Sequence, residues 1–383
     1  MVINIYIDTE PDRKNQFDHP TSWKNFDRDN TFAATVDSLD RLKIPGDSRL
    51  SLYIPAIAAH NDRRYDRQNK EKINGVISRL PQFIPIHIFT NTDIAGFRRR
   101  TGEKFFSTSG YPEIRNLGLI LPVFNNEDVI IQIDDDELLR PNYLLRLQQI
   151  LQAHPDKSLF TAPYEKEGTV RIKSEDPLAC WPKYSTMDAD MEKLMKEPGP
   201  VETLFGFGGN IIIRQRLARK SLYPPGVPRG EDFSYLLANR LIFENGAPGI
   251  PVGDPDYLAY FLPDRELTII HRPPAEARAD FLSYLELNLK RFIMENNIFK
   301  NQSGLSGESL RSLSYYLSAM IDRDMNQQLE EILQEIEGDY PSPRLERFAA
   351  GIKQFLKEYQ GIDRLAKHRQ QLKEYRAMIE RFA

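Results

Sequence analysis

The sequence predicts an α/β fold: an open, mostly parallel sheet with helices on both faces, followed by a helical C-terminal region. Three observations point there. Short apolar runs alternate with stretches of helical spacing over the first 160 residues. The run DVIIQI, 128–133, is apolar on both alternating faces apart from Asp128 and Gln132, as expected of a strand buried on both faces. After about residue 275 the strand-like runs stop and helical patterns take over.

The elements follow in order. VINIYI, 2–7, reads as a first buried strand, TFAATVDSLDRLKI, 31–44, as a helix and SLYIPAI, 51–57, as a second strand. EKINGVISRL, 71–80, is a helix, IPIHIF, 84–89, a third strand and PEIRNLGLILPVF, 112–124, a helix with a proline near its end. Strand 128–133 precedes a helix over 141–154, whose Pro141 suits a first turn. SLFTAP, 158–163, is a fifth strand. Residues 164–200, rich in Pro, Lys and Glu, read as an ordered loop or an insertion. FGFGGNIIIR, 205–214, regains strand character, GEDFSYLLANRLIFENG, 230–246, reads as a helix, and LTIIHRPP, 267–274, as a strand stopped by prolines. Further helices follow, and in the last Leu365, Leu372 and Ile379 recur every seven residues. That spacing fits a coiled-coil homodimer or a bundle packed on its own chain.

Composition bounds the function. The chain has 383 residues, 40% hydrophobic and 28% charged, which is ordinary for a soluble globular protein. A net charge of −4 provides no footprint for nucleic acid. The single cysteine, Cys180, allows no internal disulfide, which fits a cytoplasmic setting. MVINIYIDTEPDRKN lacks the basic start and long apolar core of a signal peptide. No run of about 18 apolar residues is present, which leaves peripheral attachment to the inner face of a membrane open.

The chemistry concentrates in IIQIDDDELLRPNY. Asp134, Asp135 and Asp136 follow directly on a buried strand, where open α/β sheets bind their ligands. Oxygen ligands suit Mg²⁺ or Mn²⁺, which in turn suit a diphosphate. The plainer reading is a turn or the cap of the following helix, although three acids exceed what a cap needs. Glu231 and Asp232 open a predicted helix, either as favourable charges at its N-terminus or as a general base. His271 ends a strand and is either structural or a metal ligand. Trp181 either anchors its loop or stacks on a sugar. The basic clusters at 63–70 and 97–100 read as solvated faces.

In this order IRNLGLI, IIQIDDDELLRPNYL, GFGGNIIIR, GEDFSYLLANRL and IIHRPP resemble segments of family 2 glycosyltransferases and relatives with the GT-A fold, over roughly residues 1–275. The resemblance implies a GT-A domain over 1–275, with a nucleotide-sugar half at 1–140 and an acceptor half at 141–275. A helical extension over 276–383 lies outside it. It implies a hexosyltransferase-like enzyme that takes a nucleotide diphosphate sugar donor and a glycan, lipid-linked or small-molecule acceptor. Asp134 would approach the ribose or the metal, with Asp135 beside it, and Asp136 and His271 would bind Mn²⁺ or Mg²⁺. Arg115 would lie near the nucleotide or diphosphate, Asp232 would be the base of an inverting reaction, and Glu231 would orient that base or bind acceptor. The chain departs from the family where IDTEPDR replaces a Pro-x-Tyr-Asn stretch, so that Asp8, Thr9 or Glu10 stands in as nucleotide contact. Asp62 and Asp66 compete for the acid after the second strand. Relatives with a metal-binding histidine include retaining enzymes. A sugar-nucleotide nucleotidyltransferase would carry a glycine-rich loop after the first strand, which this chain lacks. A haloacid-dehalogenase-type phosphatase would place its aspartates nearer the N-terminus. A non-catalytic sugar or metal-binding protein stays as the third class.

Overall fold

The computed structural model describes residues 1–9, 30–58, 63–172, 175–273, 280–300 and 304–382. The strands are β1 (Val2–Asp8), β2 (Ser51–Ile57), β3 (Ile86–Thr90), β4 (Val129–Asp134), β5 (Glu137–Leu138), β6 (Leu159–Thr161), β7 (Tyr164–Glu165), β8 (Val201–Glu202), β9 (Ile211–Arg214), β10 (Ala259–Phe261) and β11 (Ile269–His271). The helices of the first half are α1 (Thr31–Asp40), α2 (Arg63–Ile77), α3 (Asn91–Thr101), α4 (Tyr111–Phe124) and α5 (Tyr143–Ala153). They are followed by α6 (Lys183–Leu194), α7 (Gln215–Ala218), α8 (Glu231–Asn245) and α9 (Phe281–Lys300). The chain ends in α10 (Gly307–Leu313), α11 (Tyr315–Ile321), α12 (Met325–Glu335), α13 (Ser342–Tyr359) and α14 (Arg364–Phe382).

Eight strands form one sheet in the order β3-β2-β1-β4-β9-β6-β10-β8. β3, β2, β1 and β4 are mutually parallel, and β9 runs antiparallel to both β4 and β6. β10 runs with β6, and the edge strand β8 runs against it. The sheet is thus open and mostly parallel, as expected of a GT-A-like fold. Its strands alternate between two cores. Ile3, Ile5 and Ile7 of β1 and Ile131 and Ile133 of β4 pack with α1, α2 and α5 on one face. Val2, Tyr6, Ile130, Ile211 and Ile213 pack with α4, α8 and the C-terminal helices on the other. Burial on both faces is why these strands read as largely apolar runs without alternation.

The carboxyl ends of β1, β4 and β6 and the start of β9 share one end of the sheet. A second sheet, β5-β11-β7, lies beyond that end. Its register sets His271 opposite Glu137, and the Arg272 amide donates to the Asp136 carbonyl at 2.8 Å.

Several elements differ from the expectation. α2 begins at Arg63 rather than near 71, and α1 stops at Asp40, ahead of Pro45. α3 occupies a stretch read as a solvated basic cluster. Its start carries a capping box, in which Asp93 accepts from the amide and hydroxyl of Thr90, and Gly102 ends it at φ 73°. The segment 164–200 contains β7 and α6. Trp181 is fully buried against Phe292 and anchors that segment. Leu365, Leu372 and Ile379 are buried in the chain's own core, so the heptad face packs as a bundle element. Among the described residues no helix is long and apolar enough to cross a membrane.

His368 of α14 is buried, and neither ring nitrogen has a hydrogen bond among the described residues. Burial pushes the imidazole down to about 4, helped by the nearby Arg364 cation. The folded value lies below the usual value near 6.5, so the unfolded chain binds the proton first. This group's contribution is therefore complete above pH 6.5 and is lost as pH falls toward 4. At pH 5 the loss is about 2 kcal/mol relative to neutral pH. Urea unfolding at pH 7 and pH 5 checks it: His368→Leu reduces the acid-induced loss by about that amount, and an equal loss in both proteins would refute it.

Candidate active site

The site is built around Arg115 of α4. Its guanidinium is 2% exposed and lies 4.4 Å over the Tyr6 ring. Nε donates to Oε1 of Glu231 at 3.0 Å, and Nη2 reaches Asp134 Oδ1 at 2.8 Å. Gly118 lets α4 approach β1 this closely, because a Cβ there would meet the Tyr6 hydroxyl at 1.8 Å.

The acid run after β4 separates in space. Asp134 is half-buried at the strand end and turned to Arg115. Asp135 is buried, and its carbonyl accepts from the Thr35 hydroxyl at 2.9 Å. The Asp136 carboxylate lies 3.1 Å from Nε2 of His271, with both groups buried. Glu137 points back beneath the turn and accepts from the Asp134 amide at 2.7 Å. Burial raises Glu137 well above the carboxylate range, with the charges of Asp134 and Asp136 adding to the effect. The glycine segment before β9 makes room for it, since a Cβ on Gly209 would lie 1.8 Å from Oε1 of Glu137. Burial also holds His271 down at about 4, so its ring is neutral at pH 7.

Glu231 and Asp232 begin α8 behind Gly230, which sits at φ 65°. Neither provides the helix's side-chain cap. Asp232 instead accepts from the Gly208 amide across the site at 3.0 Å. Burial pushes Glu231 up to about 8, against the pull of the Arg115 cation. It also raises Asp232, against the Arg291 cation. A carboxyl held up at about 8, as at Glu231, exchanges its proton near neutral pH.

The structure thus brings Arg115, Asp134, Glu231 and Asp232 together and places Asp136 with His271. Among the described residues no group of three or more His, Cys, Asp or Glu side chains is arranged to hold a metal ion. Of the expected set, Asp134 pairs with Arg115, while Asp136 lies against His271. Glu10 and Asp62 lie outside the described residues. Asp66 is buried and caps α3 through the Thr92 amide, and Thr9 is buried beside β2. Glu137, Tyr6 and the Gly208 amide were not foreseen as site groups; Glu137 was legible as the fourth acid of DDDE. A cleft of about 950 Å³ at the opposite end of the sheet, lined by Met1, Arg49, Pro85 and Glu127 among others, holds none of these acids.

No family model matches the chain, and no curated protein does. Among solved structures it is similar to the mannosyltransferase PcManGT from Pyrobaculum calidifontis, in complex with GDP-Man and Mn²⁺. The identity is 11% over 99% of this chain and 85% of that one, with a TM-score of 0.48. It is also similar to S. aureus TarS, with 10% identity over all of this chain and 54% of that one, at a TM-score of 0.44. Mouse xyloside xylosyltransferase 1 in its apo form gives 14% identity over 67% of this chain and 79% of that one, at a TM-score of 0.29.

The geometry predicts that Gly209→Ala costs about 1–3 kcal/mol, because Glu137 must leave its place under Asp134. Gly199→Ala, with nothing within 4 Å of its Cβ, stays within about 0.5 kcal/mol of wild type. Urea midpoints of the two variants decide, and equal midpoints would refute the packing argument.

Proposed function

We propose that the chain is a metal-dependent glycosyltransferase that moves a sugar from a nucleotide diphosphate sugar to an acceptor hydroxyl with inversion. The observation that carries the reading is the pairing of two acidic centres at the carboxyl end of the sheet. One is the Asp136–His271 pair and the other is Glu231–Asp232, and Arg115 stands between Asp134 and Glu231. A neutral imidazole and a carboxylate 3.1 Å apart fit two ligands of one Mn²⁺, with the remaining positions left to water and diphosphate oxygens. A bound ion would supply positive charge to the leaving diphosphate.

The chain's own residues do the rest. Asp134, half-buried and fixed by Arg115 and by the hydrogen bond from its amide to Glu137, faces the donor. Asp232 takes the proton of the acceptor hydroxyl, and the hydroxyl oxygen forms a bond to the anomeric carbon. The bond from that carbon to the diphosphate oxygen breaks, and its electron pair leaves with the nucleoside diphosphate. The Gly208 amide holds Oδ2 of Asp232 and the Phe233 amide holds Oδ1 at 2.9 Å, which fixes the orientation of the carboxylate. Glu231, tied to Arg115, orients the base. On this reading residues 1–140 hold the donor, 141–275 hold the acceptor, and 276–383 form a helical extension.

Thermal unfolding with UDP, GDP, dTDP and CDP, each with and without Mn²⁺, tests the proposal. One nucleotide should raise the melting temperature only with metal, by about 2.7 kcal/mol of stabilisation at a hundredfold excess over Kd. Asp136→Ala should abolish that shift. Asp232→Asn should keep the shift and lose sugar transfer by at least about a hundredfold. No shift with any nucleotide in the presence of Mn²⁺ would overturn the reading.

A further inference from the structure

The acid pair rests on a polar cluster that comes from outside the expected catalytic region. Arg291 of α9 is 2% exposed, and its guanidinium packs directly beneath the turn that opens α8: a Cβ on Gly230 would lie 2.2 Å from Nη1. The same guanidinium lies 4.8 Å over the ring of Phe233, the residue after Asp232. Its other partners fix it there. Nε donates to Oε1 of Glu295 at 3.0 Å, and Nη1 donates to the Tyr316 hydroxyl at 3.2 Å. Glu295 also accepts from the Ser234 hydroxyl of α8 at 2.5 Å. Nη2, which is buried, has no hydrogen bond among the described residues.

Tyr316 is placed in turn by α6. Asp190 accepts from the amides of Tyr315 and Tyr316 at 2.7 and 2.9 Å and from the Ser314 hydroxyl at 2.8 Å, so it caps α11 from the 164–200 segment. A line of buried polar bonds thus runs from Asp190 through Tyr316 and Arg291 to the start of α8. A buried guanidinium and carboxylate cost several kcal/mol to desolvate, and apolar residues would hold the helices together at lower cost.

We propose that Arg291 is a positioning residue of the transfer reaction: the C-terminal helices and the 164–200 segment hold its charge behind Asp232, keeping that carboxylate ionised and aimed at the acceptor hydroxyl. This rests on the glycosyltransferase reading and deepens it. The charged groups that face Asp232 are Glu231 beside it on α8, Arg115 of α4, and Arg291 and Glu295 of α9, with the Tyr316 hydroxyl of α11 behind them. Of these, Arg291 lowers the Asp232 carboxyl most, and Glu295 opposes it. The two charges therefore act on the base with opposite signs.

The test is the pH profile of kcat for turnover of UDP-glucose and GDP-mannose with Mn²⁺ by the full chain. Arg291→Gln should move the acid limb to higher pH. At pH 6 it should lose about tenfold, and by pH 9 it should recover to within about twofold. Arg291→Lys should restore most of the wild-type limb, and Glu295→Gln should move it to lower pH. If Arg291→Gln does not fold, Tyr316→Phe and Glu295→Gln carry the test, with limbs displaced in opposite directions. Limbs that coincide with wild type, with or without a uniform drop in kcat, would overturn the positioning role and leave the glycosyltransferase reading intact. Absence of turnover in wild type would overturn both.

Discussion

The arrangement depends on one buried cation. Arg115 is nearly solvent-free, and an isolated guanidinium there would be prohibitively costly. It is tolerated because Asp134 and Glu231 approach it from two separate elements and the Tyr6 ring covers one face. The reverse also holds. Glu137, Glu231 and Asp232 are gathered where burial favours their neutral forms, and Arg115 is the positive group that Asp134 and Glu231 share. β4 and α8 are joined electrostatically at the point where their acids have to cooperate.

The rest of the fold fixes the edges of that cluster. Sheet polarity delivers β1, β4 and β6 to one end, and the antiparallel β9 returns the glycine segment to the same place. The small sheet then carries His271 back over Asp136. Gly209 and Gly118 permit approaches that any side chain would block. Behind α8, the Arg291–Glu295 pair and the capped α11 tie the C-terminal helices to the acid pair. Their core is continuous with that of the sheet.

Much of this was legible where one physical signal dominated. β2 spans Ser51–Ile57 as expected, because a strand buried on both faces is apolar throughout. The acid run at 134–136 and the pair at 231–232 stood out because each follows an apolar strand or opens a helix. Other parts were obscured by competing signals. The three arginines of α3 masked a helix whose capping box was present in Thr90 and Asp93. α6, with few apolar residues, has no strong periodicity, and β10 is only three residues long. Arg291 and Glu295 carry no motif that marks them in the sequence; only tertiary packing buries their pair. Spacing likewise showed that Asp134 and Asp136 are close, and could not show that Asp134 pairs with Arg115.

The central claim is that Arg115 and Glu231 stabilise one another as a buried pair. A double-mutant cycle of Arg115→Met and Glu231→Gln tests it most directly, by urea unfolding at pH 9, above the raised Glu231 value of about 8. The account predicts that the double variant is less destabilised than the sum of the two single variants, by at least about 1 kcal/mol. Single-variant losses that add to within about 0.5 kcal/mol would contradict it.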